Sequence, residues 1–169
     1  MKSSVYPPDE IKALLKAEVY DHEVIEIKLI ETHISWVILT GKYAYKYKKH
    51  IDLDCYRGRS ALNRLNYCKE EIRINTKLTG DIYVGIAAVF INNGSEKVKL
   101  LNNPTQIRLS KNVRDYAVVM NEFKSEQLLV NYILKNAIME NSIKTLATKL
   151  ASFHDLNRND FILENYSIK

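Results

Sequence analysis

An α+β fold is what the sequence predicts, and three observations predict it. The first 122 residues are filled by short runs that alternate apolar and polar or are continuously β-branched and apolar. One long stretch with apolar residues every three or four positions, residues 58–78, interrupts them. Beyond residue 122 only helical spacing is found. The change divides the chain into a sheet unit at 1–122 and the start of a helical unit at 123–169. The expected architecture is an antiparallel sheet of about five strands with one long helix, followed by two C-terminal helices.

Each element has its own warrant. Residues 8–18 (PDEIKALLKAE) predict a short helix, led in by Pro7 and Pro8, with acids in its first turn and Ile11, Leu14 and Leu15 as its apolar stripe. VIEIKLIE at 24–31 alternates and predicts a strand. ISWVILT at 34–40 is β-branched and apolar throughout, the mark of a strand covered on both faces. Gly41-Lys42 predicts a turn, and YAYKYKK at 43–49 alternates as a third strand, so the three form an antiparallel meander. A polar segment leads to the helix at 58–78, with Leu62, Leu65, Cys68, Ile72, Ile74 and Leu78 on its apolar stripe and Gly80 close after its end. IYVGIAAVFI at 82–91 predicts a strand, Asn92-Asn93-Gly94 a turn, and 96–101 the other arm of a hairpin. DYAVVM at 115–120 predicts the last strand, ending in polar Asn121-Glu122. Helices at 125–139 and 141–155 follow, and the tail FILENYSIK carries no signal.

Composition bounds the function. Hydrophobic residues make up 46% of the 169 and charged residues 27%, as in an ordinary soluble protein. The formal net charge of +5, with a pI of about 9.1, permits an anionic partner without demanding one. Cys55 and Cys68 belong to no CxxC or Cys/His cluster and fit a reducing compartment. MKSSVYPPDE has no apolar core of a secretory signal, and no apolar run reaches the roughly 18–20 residues that span a bilayer. A cytoplasmic protein with no membrane partner is expected. G-x-S-x-G, H-E-x-x-H and G-x-x-x-x-G-K-[ST] are absent from the sequence.

GKYAYKYKKH, residues 41–50, concentrates the charge. On a strand, Lys42, Ala44, Lys46 and Lys48 share one face, and Tyr43, Tyr45, Tyr47 and Lys49 the other. A small residue two before a lysine leaves room for a flat base while the lysine reaches its phosphates. An ammonium on a flexible stem is a poor clamp unless a carboxylate holds it, and the long helix offers Glu70 and Glu71. Glu71 is preferred, because Ile74 and Leu78 at i+3 and i+7 place it beside the apolar stripe. This is the geometry of a kinase nucleotide-binding lobe, and Ala44 singles out Lys46 over Lys48 and Lys49. The rival reading is a nucleic-acid surface on which the tyrosines stack bases; the order of the surrounding elements weighs against it.

IKLIETHISWVILTGKYAYKYKK, with YCKEEIRINTKL, DIYVGIAAVF, DYAVVMNEF and LATKLASFH, resembles the aminoglycoside-phosphotransferase-like family of kinase-fold proteins. It is most similar to the bacterial branch often fused to a P-loop ATP-binding domain, and the likeness runs from about residue 8 to residue 156. The resemblance implies ATP as the cofactor, Lys46 as its phosphate lysine and Glu71 as the partner of that lysine. The turn Glu31-Thr32-His33-Ile34-Ser35 stands where kinases place a phosphate-covering loop; it has no glycine, so the hydroxyls of Thr32 and Ser35, or the backbone N–H groups there, would serve. Met120, Asn121, Glu122 and Phe123 would form the hinge that offers backbone groups to an adenine edge. The family's H-G-D-x-H-x-x-N catalytic loop is absent: none of His22, His33, His50 and His154 is followed by Gly-Asp. His154-Asp155 in FHDLNRND lacks the glycine and the Asn spacing, so no catalytic or metal-binding residue is assigned. The resemblance therefore implies an incomplete kinase, inactive alone, with Mg²⁺ entering only if the missing lobe is supplied. It leaves a nucleotide-binding or protein-interaction remnant as the alternative. Its partners would be a second copy, or a separate chain bringing the other lobe, on an exposed apolar underside.

Overall fold

The computed structural model describes residues 6–92, 94–101, 112–135 and 140–157. Asn93 of the expected turn, the end of the helix expected at 125–139, the first five residues and the tail FILENYSIK lie outside the described residues. The fold is α+β. Residues through Glu122 form one compact unit and those from Phe123 a second.

The first unit is built on six antiparallel strands rather than about five: β1 (Lys28–Glu31), β2 (Ser35–Leu39), β3 (Tyr43–Lys48), β6 (Tyr83–Asn92), β7 (Ser95–Leu100) and β8 (Val113–Asn121). Their order across the sheet is β1-β2-β3-β8-β6-β7. The meander β1-β2-β3 and the hairpin β6-β7 are both present, and β8 enters between them, pairing with β3 and β6. The polar segment after β3 contains a small hairpin, β4 (Asp52–Leu53) and β5 (Tyr56–Arg57).

One helix precedes the strands and a longer one interrupts them between β5 and β6. The expected helix at 8–18 is only α1 (Asp9–Lys12), followed by a single 3₁₀ turn at Ala17–Val19. It tightens early: Leu14 and Leu15 donate to carbonyls three residues back, and Lys16 is extended. The Tyr20 hydroxyl donates to the freed Leu14 carbonyl at 3.0 Å. The long helix is α2 (Ala61–Thr79). It starts three residues later than expected because Ser60 caps it, accepting the Asn63 N–H with its hydroxyl. It stops at Gly80, whose φ of 61° suits a residue without Cβ.

The period of two sorts the sheet into faces, each with its own core. On one face Tyr45, Tyr47, Trp36, Ile38, Ala87, Val89, Ala117 and Val119 pack with Ile11, Leu14 and Tyr20 from the N-terminal segment. On the other, Ile86, Ala88, Tyr116 and Val118 meet Leu65 and Cys68 of α2. The helix is rotated from the expected stripe: Leu62 is exposed, while Arg64 is buried. Among the described residues no helix is long and apolar enough to cross a membrane.

The second unit has a 3₁₀ turn at Ser125–Gln127, then α3 (Leu129–Leu134) and α4 (Glu140–Asn157). The helix expected from 125 begins later because Gln127 turns its amide oxygen back to accept the Lys124 N–H, which closes a separate turn first.

Candidate functional site

β3 lies in the interior of the sheet, between β2 and β8, so its side chains are fixed by two ladders. Tyr45 and Tyr47 point into the aromatic core and are buried. They offer no stacking platform for bases. Ala44, Lys46 and Lys48 point to the α2 face. Ala44 is 7% exposed and stands in register between Leu39 and Met120.

The two lysines converge on one carboxylate. Lys46 Nζ donates to Glu71 Oε1 at 2.8 Å, and Lys48 Nζ donates to Glu71 Oε2 at 2.5 Å. Tyr83, at the start of β6, donates its hydroxyl to Oε1 at 3.4 Å and accepts from the Asn75 amide at 2.8 Å. Burial pushes the Glu71 carboxyl up, but the hydrogen bonds and charges of Lys46 and Lys48 outweigh it and hold the group below its ordinary 4.5. Glu70, the other candidate, points away and pairs with Arg73 on the exposed side of the helix. The partners differ in exposure: the Lys46 side chain is 27% accessible, those of Lys48 and Glu71 6% and 10%. Two ammonium groups on one carboxylate leave a surplus positive charge, and its accessible end is Lys46.

Sequence reasoning missed Lys48. Its place on the same strand face as Lys46 was the available signal, because side chains i and i+2 both reach a helix laid along that face.

The turn before β2 spends its polar groups on itself. The Thr32 hydroxyl donates to the Ser35 carbonyl and accepts the Ser35 N–H, each at 3.0 Å. Ser35 is fully buried, and its hydroxyl has no hydrogen-bond partner among the described residues. Thr32 is exposed with its hydroxyl engaged in the turn, and the Ser35 hydroxyl is buried beneath it.

The strand end at 120–123 is also tied down. Asn121 donates its side-chain amide to the Asp81 carbonyl, and Glu122 N–H donates to Lys42 O. The Glu122 carboxylate accepts the Thr40 and Gly41 N–H groups at 3.1 and 2.7 Å, bracing the β2–β3 turn. Met120 is partly buried against the α2-side core, and Phe123, in the second unit, is half exposed.

A second carboxylate, the buried Asp115 of β8, meets α2 through Arg64 near the start of that helix. Asp115 accepts from Arg64 Nε at 2.8 Å, from its neighbour's N–H at 2.8 Å and from His50 Nε2 at 2.9 Å. Arg64 also donates to the Gly58 and Arg59 carbonyls, which fastens the loop before α2. A cleft of about 360 Å³ lies nearby, lined by Trp36, Lys48, Lys49, His50 and the N-terminal segment, and does not include Ala44, Lys46 or Glu71. Among the described residues no group of three or more His, Cys, Asp or Glu could hold a metal ion. His154 and Asp155 sit in the last turn of α4, in the other unit.

The Lys46 cluster fits a phosphate: it carries surplus positive charge, an accessible ammonium and a fixed carboxylate behind it. An adenine edge would have to use groups other than the Glu122 N–H, which is already engaged.

Over 136 residues the chain is 27% identical to proteins described only as uncharacterized, one from Mycobacterium bovis and two from strains of Mycobacterium tuberculosis. The matched segment covers 80% of this chain and 24% of each relative, so the chain spans about a quarter of the length of the curated relatives it matches. No family model matches, and no solved structure does.

Proposed function

We propose that the sheet unit is the nucleotide-binding lobe of an ATP-dependent small-molecule phosphotransferase of the aminoglycoside-phosphotransferase-like kind, and that these 169 residues transfer no phosphate by themselves. The observation that carries this reading is the contact between Lys46 and Glu71 at 2.8 Å, from an interior strand to the long helix, with Ala44 on the same strand face. ATP, when bound, supplies the phosphoryl group. Lys46 binds its phosphate oxygens, Glu71 keeps that ammonium from swinging freely, and the end of β8 at Met120 and Asn121 borders the base. The sequence holds no H-G-D-x-H-x-x-N, so the proton acceptor and the magnesium ligands would lie outside these 169 residues. Such a role places the protein in the cytoplasm, where ATP and reduced thiols occur together.

The test is calorimetric titration of ATP into the purified protein and into Lys46→Ala. Binding is expected for the parent and a loss of about tenfold or more for the variant, the loss of one charge-assisted contact, with circular dichroism unchanged. Equal affinity in the two proteins would sink the phosphate role of Lys46. Transfer of labelled γ-phosphate to a hydroxyl acceptor at kinase-like rates would overturn the claim that the chain is inactive alone.

A further inference from the structure

We infer that Lys48 is a positioning residue that keeps Glu71 compensated and in place while Lys46 turns to an anion. This rests on the nucleotide-phosphate reading of the site. The argument starts from what a single lysine on a buried carboxylate cannot do. An ammonium that leaves its carboxylate for a phosphate strands a negative charge in a poorly solvated place, which opposes the move. Here the carboxylate is 10% exposed, so that penalty applies.

The two lysines divide the task by position. Lys46 holds Oε1 from the accessible side, where Tyr83 also reaches the same oxygen. Lys48 holds Oε2 from the buried side at 2.5 Å and has almost no accessible surface of its own. When Lys46 moves, Oε1 keeps Tyr83 and Oε2 keeps Lys48, and the carboxylate stays neutralised. The surplus charge of the cluster is then carried to the ligand.

The other titratable groups facing Glu71 leave this division intact. Cys68 on α2 is a neutral thiol, pushed up to about 12 by burial. Tyr83 from β6 is raised by burial and stays protonated. β8 contributes Asp115, already held by Arg64.

The experiment compares the parent with Lys48→Met, Lys46→Met and Lys48→Met/Glu71→Gln, all as the full chain. ATP is titrated at about pH 7.5, and the ratio of variant to parent affinity is read. Lys48→Met is expected to weaken binding about tenfold, since Lys46 is then pinned by an otherwise unpaired Glu71. Glu71→Gln in the same background restores most of the affinity, which a merely structural role for Lys48 would not allow. Parent-like binding by Lys48→Met, or no rescue by Glu71→Gln, overturns the inference.

Should the parent bind no ATP, the nucleotide reading falls and the division of labour is judged without ligand. Lys46→Met then stands in for the moment when Lys46 has left, and carbon NMR follows the Glu71 carboxyl. It is expected to titrate lower in Lys46→Met than in Lys48→Met, because the buried Lys48 ammonium is the less screened of the two. Equal behaviour of the two variants overturns the role of Lys48.

Discussion

Two carboxylates lie buried where α2 crosses the sheet, and the protein holds them in opposite ways. Asp115 is held by an arginine whose donors are also spent on the Gly58 and Arg59 carbonyls, so the guanidinium fastens a strand, a helix and a loop at once. Glu71 is held by two lysines from one strand, each a single-point contact on a flexible stem. The planar fork of Arg64 has fixed directions and no reach to spare. The ammonium of Lys46 can pivot, and its side chain is partly open to solvent. The difference teaches what separates a fastener from a site: similar burial and similar charge, but one cluster is saturated and the other keeps an unspent cation at its rim.

The largest expected effect tests the saturated cluster. Arg64→Met removes the guanidinium while keeping apolar bulk, and leaves Asp115 buried with only His50 and a backbone N–H. A loss of about 3–5 kcal/mol is expected, the range for breaking a buried pair from one side. Urea denaturation followed by circular dichroism measures it. A variant as stable as the parent would erase the distinction, since Asp115 would then need no arginine.

Acid tests the second carboxylate and has a smaller effect. Glu71 is held below its ordinary 4.5 in the folded chain. A depressed carboxyl adds stability that is present above 4.5 and is lost as the pH falls through the lower folded-state value. Glu71→Gln removes that contribution, so its stability should fall less steeply than the parent's below pH 4.5. Denaturation midpoints from neutral pH down to about pH 3 provide the comparison. Identical slopes would mean that the two lysines do not hold Glu71 in solution.

What could be read in advance follows from range. The two faces of β3 are a local matter, fixed by a period of two, and the tyrosines and lysines separate as that period requires. The placing of Glu71 needed only its offset from Ile74 and Leu78 along one helix. The Arg64–Asp115 pair spans 51 positions, and no local pattern connects them. Nor does any local pattern insert β8 between β3 and β6, because strand order depends on which edges are free when the chain returns. The rotation of α2 that exposes Leu62 and buries Arg64 follows from Asp115, so it was equally hidden. The early end of α1 was missed for a nearer reason: Tyr20 supplies a hydroxyl to the Leu14 carbonyl, and a side chain six residues on is outside the helical pattern.

The smallest expected change in stability belongs to Lys46, and it discriminates best between the two clusters. In Lys46→Met, Glu71 retains Lys48 on Oε2 and Tyr83 on Oε1, so no carboxylate is stranded. The lost contact is partly exposed, which limits its worth to about 1 kcal/mol or less after solvent screening. The same urea measurement used for Arg64→Met should therefore place Lys46→Met close to the parent. If Lys46→Met instead unfolds as readily as Arg64→Met, then Lys46 is a fastener like Arg64, and its ammonium is no more available to a phosphate than the guanidinium is. Near-parent stability leaves a cation that the fold does not need for itself, on an interior strand where evolution of the core alone would have favoured an apolar side chain.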